Sequence, residues 1–353
     1  ENLLALIAAL IDQDTLYCSQ KIVELCDFNM GRIRLVWTQI WALVAPFFVA
    51  QSSLFAIDSL RQLAQKFLAK PELENYHFQS EFLKPFSQIF PNADPKVQDQ
   101  ILEVMRSLAL GGLLKSGWIS LFQTLELSAK ILPTQTWEVL LLVPTSVEQE
   151  HHSALVAVLV ALVETRRFEP EIGPIWTKIE SLFAAVAATH HVKHYLSLLQ
   201  GMARLTSDPR GEVRDKAVAT MMKGANEIFE KKNFEISHIF FRAVLRPIFD
   251  DGDKVVSSIC EQLLPLVDAH FAFLEPKLLV EILTLFSLLV SSGVERISVL
   301  GTSSLQAVFA HNRLTTGWPV FVDVVAKLMT STTPVELLEE QTESLSFEAE
   351  EMI

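Results

Sequence analysis

The densest chemistry-bearing group in the sequence is His190, His191 and His194, an H-H-x-x-H pattern. On a helix His190 and His194 share a face, as a metal-binding pair does. No glutamate follows the first histidine in the H-E-x-x-H manner, and the spacing supplies no third ligand. The histidines read as structural, and His151-His152 carries still less signal. Cys18, Cys26 and Cys260 are odd in number, lack C-x-x-C spacing and fall inside apolar patterns, where small buried hydrophobes are normal. A reducing cytosol is the compartment they suggest. There is no G-x-S-x-G, and Gly111-Gly112 lacks the strand and lysine of a phosphate loop, so it reads as a helix end. The sequence therefore predicts no catalytic residue, metal or cofactor. What remains is a polar group beside a very apolar stretch: Asn29, Arg32 and Arg34, with Asp58, Arg61 and Lys84 further on. These are either braces for neighbouring helices or a cationic edge offered to a partner, and both readings stay open.

The elements that carry these residues are helical. In Ser207–Phe249, Asp208-Pro209 reads as a helix cap with proline at the first helical position. Val213, Ala217, Met221 and Gly224 then form one stripe, with Arg210, Glu212, Asp215 and Lys216 outside it. After a polar turn at Glu230–Glu235, Ile239, Phe240, Ala243, Val244 and Ile248 supply a second helix, and Pro247 falls near its end. Asp208, Val213, Arg214 and Ala217 fit the D-x-x-x-x-V-R-x-x-A pattern of HEAT repeats, in which stacked helix pairs share a continuous core. That pattern gives Asp208 and Arg214 structural roles. Elsewhere Ile33, Trp37, Ile40, Trp41 and Val44 mark one face, whose two tryptophans predict heavy burial. Ser53–Leu68 and Phe78–Phe90 are amphipathic, Asp94-Pro95 repeats the cap signal, and apolar helices continue to Met329. No alternating run of strand length stands out. The predicted fold is all-α: an extended, right-handed α-solenoid of HEAT/armadillo-like hairpins, divided at 1–129, 130–204 and 205–334, with an acidic tail at 335–353.

Composition agrees. At 353 residues, 50% hydrophobic and 20% charged, the chain is too long for one compact helical globule. Its longest apolar run, Ala154–Val163, is about half of the ~20 residues a spanning helix needs. No N-terminal signal is visible, and the chain starts at Glu1 without a methionine. A net charge of −13 disfavours nucleic acid as a partner. Seven glutamates and no lysine or arginine lie in Val335–Ile353, which reads as a solvated end.

KIVELCDFNMGRIRLVWTQIW (Lys21–Trp41), the stretch Phe55–Phe86, and SGWISLFQTLELSA (Ser116–Ala129) resemble the first helical region downstream of the exchange domain in large late-Golgi Arf guanine-nucleotide exchange factors, the BIG subfamily. SDPRGEVR (Ser207–Arg214), VLRPIFDD (Val244–Asp251), Ser292–Asn312 and TTPVELL (Thr332–Leu338) are similar to later regions of those proteins, in the same order. The resemblance implies a non-catalytic regulatory region that binds GTP-loaded Arf and Rab GTPases and the Golgi membrane peripherally. It implies a cytoplasmic place at the trans-Golgi network, a role in recruitment and autoinhibition, and allows a homodimer through other parts of the longer protein. It also implies a longer polar loop between Val49 and Phe55, where this chain has only Ala50–Leu54. No segment resembles the exchange domain, so exchange chemistry is not expected here. The reading from another class is a HEAT adaptor or transport receptor that carries cargo.

Overall fold

The computed structural model describes residues 2–13, 15–70, 78–144, 147, 149–165, 172–187, 192–230, 234–251, 253–270, 274–310 and 318–331. Among these residues there is no strand. The helices are α1 (Asn2–Gln13), α2 (Leu16–Phe28), α3 (Ile33–Gln51), α4 (Leu54–Leu68), α5 (Phe78–Ile89), α6 (Pro95–Leu110), α7 (Trp118–Ala129), α8 (Pro133–Leu141), α9 (His152–Glu164) and α10 (Ile172–Ala187). They continue with α11 (Val192–Leu205), α12 (Gly211–Glu230), α13 (Phe234–Phe240), α14 (Arg246–Asp251), α15 (Asp253–His270), α16 (Pro276–Val290), α17 (Glu295–Ala310) and α18 (Trp318–Ser331). The chain forms two compact units, Glu1–Leu182 and Phe183–Ile353.

In the first unit alternate helices stack: α1 on α3, α3 on α5, α5 on α7 and α7 on α9 make one layer, and α2, α4, α6 and α8 the other. This is the two-layer packing of a helical solenoid, in which each hairpin buries its stripe against its neighbours. Local chemistry sets the ends. Thr15 Oγ1 accepts from the Cys18 amide and Ser53 Oγ from the Ala56 amide, each at 3.2 Å, so both are side-chain N-caps. Asp94 and Pro95 take the cap and first helical positions of α6, although the Asp94 side chain makes no capping bond.

The join between α3 and α4 is only Ser52 and Ser53. Ser52 closes α3 in the left-handed region, φ 42° and ψ 40°, with its amide donating to Phe48 O at 3.2 Å. An L side chain is disfavoured there, so Ser52→Gly should raise stability by about 0.5–1 kcal/mol after glycine's greater unfolded-state entropy is deducted. An unchanged or lowered urea midpoint would contradict that account.

Among the described residues, Pro46 in α3, Pro85 in α5 and Pro265 in α15 lie in helix interiors, beyond the first turn. Pro85 has no N–H to give the carbonyl of Glu81, four residues back. The indole of Trp41 takes that place, donating from Nε1 to Glu81 O at 3.3 Å. Trp41 also stacks on Phe82, centroids 4.3 Å apart, and Trp37 and Phe67 complete the cluster, Trp37 lying 4.4 Å from Phe67.

In the second unit α11 packs on α12, α12 on α15, α15 on α17, and α16 on both α17 and α18. Two expectations change here. Helix α12 begins at Gly211, not at Pro209. Asp208 Oδ1 accepts the Arg210 amide at 2.9 Å, a turn bond across two residues, and the same carboxylate holds the Arg210 guanidinium. The bend absorbs Pro209 before the helix starts. The predicted second helix is interrupted by a π-turn, Phe241–Leu245, where the Arg246 amide reaches back to Phe241 O. This wider turn directly precedes Pro247, which cannot donate to the Ala243 carbonyl. It also rotates the stripe, so Phe241 and Leu245 are buried while Ala243, expected inside, is exposed.

Candidate functional site

Asn29, Arg32 and Arg34 sit at the corner between α2 and α3, whereas Arg61 lies on α4 and Lys84 on α5. The Asn29 side chain donates from Nδ2 to Leu25 O at 2.8 Å and closes the C-terminus of α2. That is a bracing role. Arg61 is taken up within its own helix: Nη2 lies 2.5 Å from Asp58 Oδ1 and Nη1 donates to Gln65 Oε1 at 3.2 Å. Burial opposes ionisation of Asp58, but hydrogen bonds from Arg61 and Gln62 outweigh it and hold the carboxyl below its usual range. Lys84 faces Glu81 at 3.6 Å, and Lys66 pairs with Asp27 across α4 and α2. Exposed pairs of this kind contribute little stability, about 0–1 kcal/mol, yet they neutralise the surface locally. Arg32 is exposed and enters no ion pair among the described residues, and the Arg34 side chain lies outside them.

The same corner holds two residues the sequence reading passed over. Phe28 is 89% exposed and Leu35 83% exposed. Leu35 lies off the Trp37–Ile40–Trp41–Val44 stripe, and that offset was the signal available.

Trp37 and Trp41 are buried in the aromatic cluster, Trp37 at 2% exposure. Arg214 Nη1 donates to the carbonyls of Asp208 and Pro209, both at 2.8 Å, tying α12 to its own entry turn. Gln79, buried and unanticipated, staples α5 to the segment before α7: Nε2 donates to Leu113 O at 3.2 Å, and Oε1 accepts the Lys115 and Gly117 amides at 2.8 and 3.1 Å. Ser120 Oγ adds a bond to Ser80 O at 2.6 Å.

Burial pushes the Cys26 and Cys260 thiols up to about 12, which disfavours the reactive thiolate. Lys178, whose ammonium is pushed down by burial, donates 2.8 Å to Leu140 O at the C-terminus of α8, where a cation suits the helix end. His190 and His191 lie outside the described residues, as does the His194 side chain; among those described, no three His, Cys, Asp or Glu groups gather for a metal. No described helix is long and apolar enough to cross a membrane.

Residues 66–134, from the end of α4 to the start of α8, match the Sec7-like HDS family, described as Mon2/Sec7/BIG1-like HDS. The chain is 28% identical over 290 residues to the Brefeldin A-inhibited guanine nucleotide-exchange protein 2 of Arabidopsis thaliana, covering 65% of this chain and 16% of that protein. It is 38% identical over 124 residues to protein 1 of the same name from Homo sapiens, and 39% over 119 residues to protein 4 from Arabidopsis thaliana, each covering 7% of the relative. The chain thus spans about a sixth or less of the length of these relatives. The resemblance read from Lys21–Trp41 and Phe55–Phe86 is borne out: this all-α chain is similar to a region of the BIG/Sec7-type guanine nucleotide-exchange proteins, with the Sec7-like HDS segment at residues 66–134.

Proposed function

We propose that this chain is a non-catalytic regulatory region of a trans-Golgi Arf exchange factor, which binds GTP-loaded Arf and Rab GTPases and a membrane surface to control recruitment and autoinhibition. The similarity over 290 residues to guanine nucleotide-exchange proteins carries the reading. The helical stacking supports it physically, because small angular changes between hairpins accumulate along an array and link surfaces to a catalytic domain elsewhere. In this reading 1–129, 130–204 and 205–334 are successive regulatory regions, with 335–353 an acidic end, all on the cytoplasmic face of the trans-Golgi network. Arg32 and Arg34 offer the cationic edge that partners meet, Arg61 and Lys84 join it when a partner's acidic groups displace Asp58 and Glu81, and Asn29 holds the corner.

The deciding experiment measures binding of this chain to Arf in solution, without lipid. GTP-loaded Arf should be retained several-fold better than GDP-loaded Arf, and the chain alone should not accelerate nucleotide release. Equal retention of the two forms, or accelerated release, overturns the reading.

A further inference from the structure

We propose that the α2–α3 corner is a lipid-contact surface: Phe28 and Leu35 enter the boundary between headgroups and acyl chains of an anionic bilayer, Arg32 meets the phosphates, and the outward face of α3 lies along the membrane. This deepens the membrane part of the proposed function and rests on it. Single exposed hydrophobic residues are ordinary. Phe28 and Leu35 are the two most exposed large apolar side chains among the described residues, and they flank one corner. Beyond Leu35 the exposed positions of α3 are Thr38, Gln39, Ala42, Leu43, Pro46 and Ala50, about four turns without a charged side chain.

Charge points the same way. No Asp or Glu occurs between Asp27 and Asp58. Asp27 is held by Lys66 and Asp58 by Arg61, while Arg32 is exposed and enters no ion pair among the described residues. On a chain of net charge −13, such a corner is an island to which acidic lipid is complementary. Because no described helix can span a bilayer, the geometry is that of an element lying on the surface. A specific protein interface carries about one hydrogen bond per 100–200 Å². Among the described side chains of this face beyond Leu35, Thr38 and Gln39 are the only exposed polar ones, too few to fix a protein partner's orientation.

Co-sedimentation of the whole chain with phosphatidylcholine vesicles, with and without phosphatidylserine, tests the proposal. Wild type should partition better onto the phosphatidylserine vesicles. The double variant Phe28→Ser/Leu35→Ser should partition about tenfold or more weakly, since each loses an inserted apolar side chain. Arg32→Gln should remove much of the phosphatidylserine preference. A control pair, Leu110→Ser/Leu141→Ser, alters side chains 64% and 61% exposed elsewhere and should change nothing. All variants should melt near wild type, as exposed substitutions usually do. If the Phe28/Leu35 variant partitions like wild type, the corner is not the contact although the membrane reading stands. Failure of wild type to partition sinks both. Loss of GTP-loaded Arf binding in solution, with vesicle binding intact, assigns the corner to a protein and overturns the proposal.

Discussion

Trp37→Ala should lower the stability of the first unit by about 3–5 kcal/mol, the cost of emptying a large aromatic site in a packed core. The indole is almost completely buried and, among the described residues, lies against the rings of Trp41 at 5.6 Å, Phe67 at 4.4 Å and Phe82 at 5.8 Å between centroids. Those rings come from α3, α4 and α5, so the cavity opens where three helices converge and no single side chain can move to fill it. Trp37→Phe should recover roughly half the loss, because most ring contacts survive with a smaller volume. Urea denaturation followed by circular dichroism measures both. A Trp37→Ala midpoint equal to wild type would mean that the cluster is not core.

The second large effect is expected at Gly301. A β-carbon there would stand 2.6 Å from the Val290 amide nitrogen, 2.7 Å from Leu289 Cβ and 2.9 Å from the Leu289 carbonyl carbon. Two of those neighbours are backbone, so α16 and α17 must separate before alanine fits. Nearby, Ser298 Oγ donates to Val290 O at 2.9 Å, and separation loses that bond too. Alanine's better helix propensity returns up to about 1 kcal/mol. Overpacking and lost contacts should outweigh it, for a net cost of about 3 kcal/mol. Gly224 makes the comparison: its β-carbon would meet the Phe183 ring edge at 2.8 Å, a side chain that can turn aside, so Gly224→Ala should cost distinctly less. Thermal melts that rank Gly224→Ala as the worse variant would refute this view of the α16–α17 contact.

The helical periodicity was legible because burial follows it directly. Trp37, Ile40, Trp41 and Val44 are all buried, as one face of a 3.6-residue repeat requires. Asp94-Pro95 was read correctly for a related reason, since proline at a first helical position needs no partner for its nitrogen. The same pair at Asp208-Pro209 misled. There the Arg210 amide and guanidinium take up the Asp208 carboxylate before the helix starts, and a preference for capping does not reveal that. Ala243 was misplaced because a π-turn adds a residue to the repeat, and only proximity to Pro247 hints at that. Gln79 could not have been found from spacing, because the groups it joins lie more than thirty residues away in sequence. At the candidate site the cations were visible but their partners were not. Asp58 and Glu81 each sit one helical turn from the cation they pair with, a spacing equally compatible with free side chains. The prominence of Phe28 depends on which helices pack nearby, which composition does not encode.

The bond between Trp41 and the carbonyl left open by Pro85 makes the order of substitution matter. If Pro85 is exchanged first for a residue with an N–H, Glu81 O gains an ordinary helical donor and the indole becomes dispensable as a hydrogen-bond donor, keeping only its stacking on Phe82. If Trp41 is lost first, a part-buried carbonyl is left beside a proline that cannot serve it, at about 1 kcal/mol. Lineages can therefore cross between the two arrangements readily in one direction and only through a weakened intermediate in the other, so the history of position 85 constrains position 41 although forty-three residues lie between them.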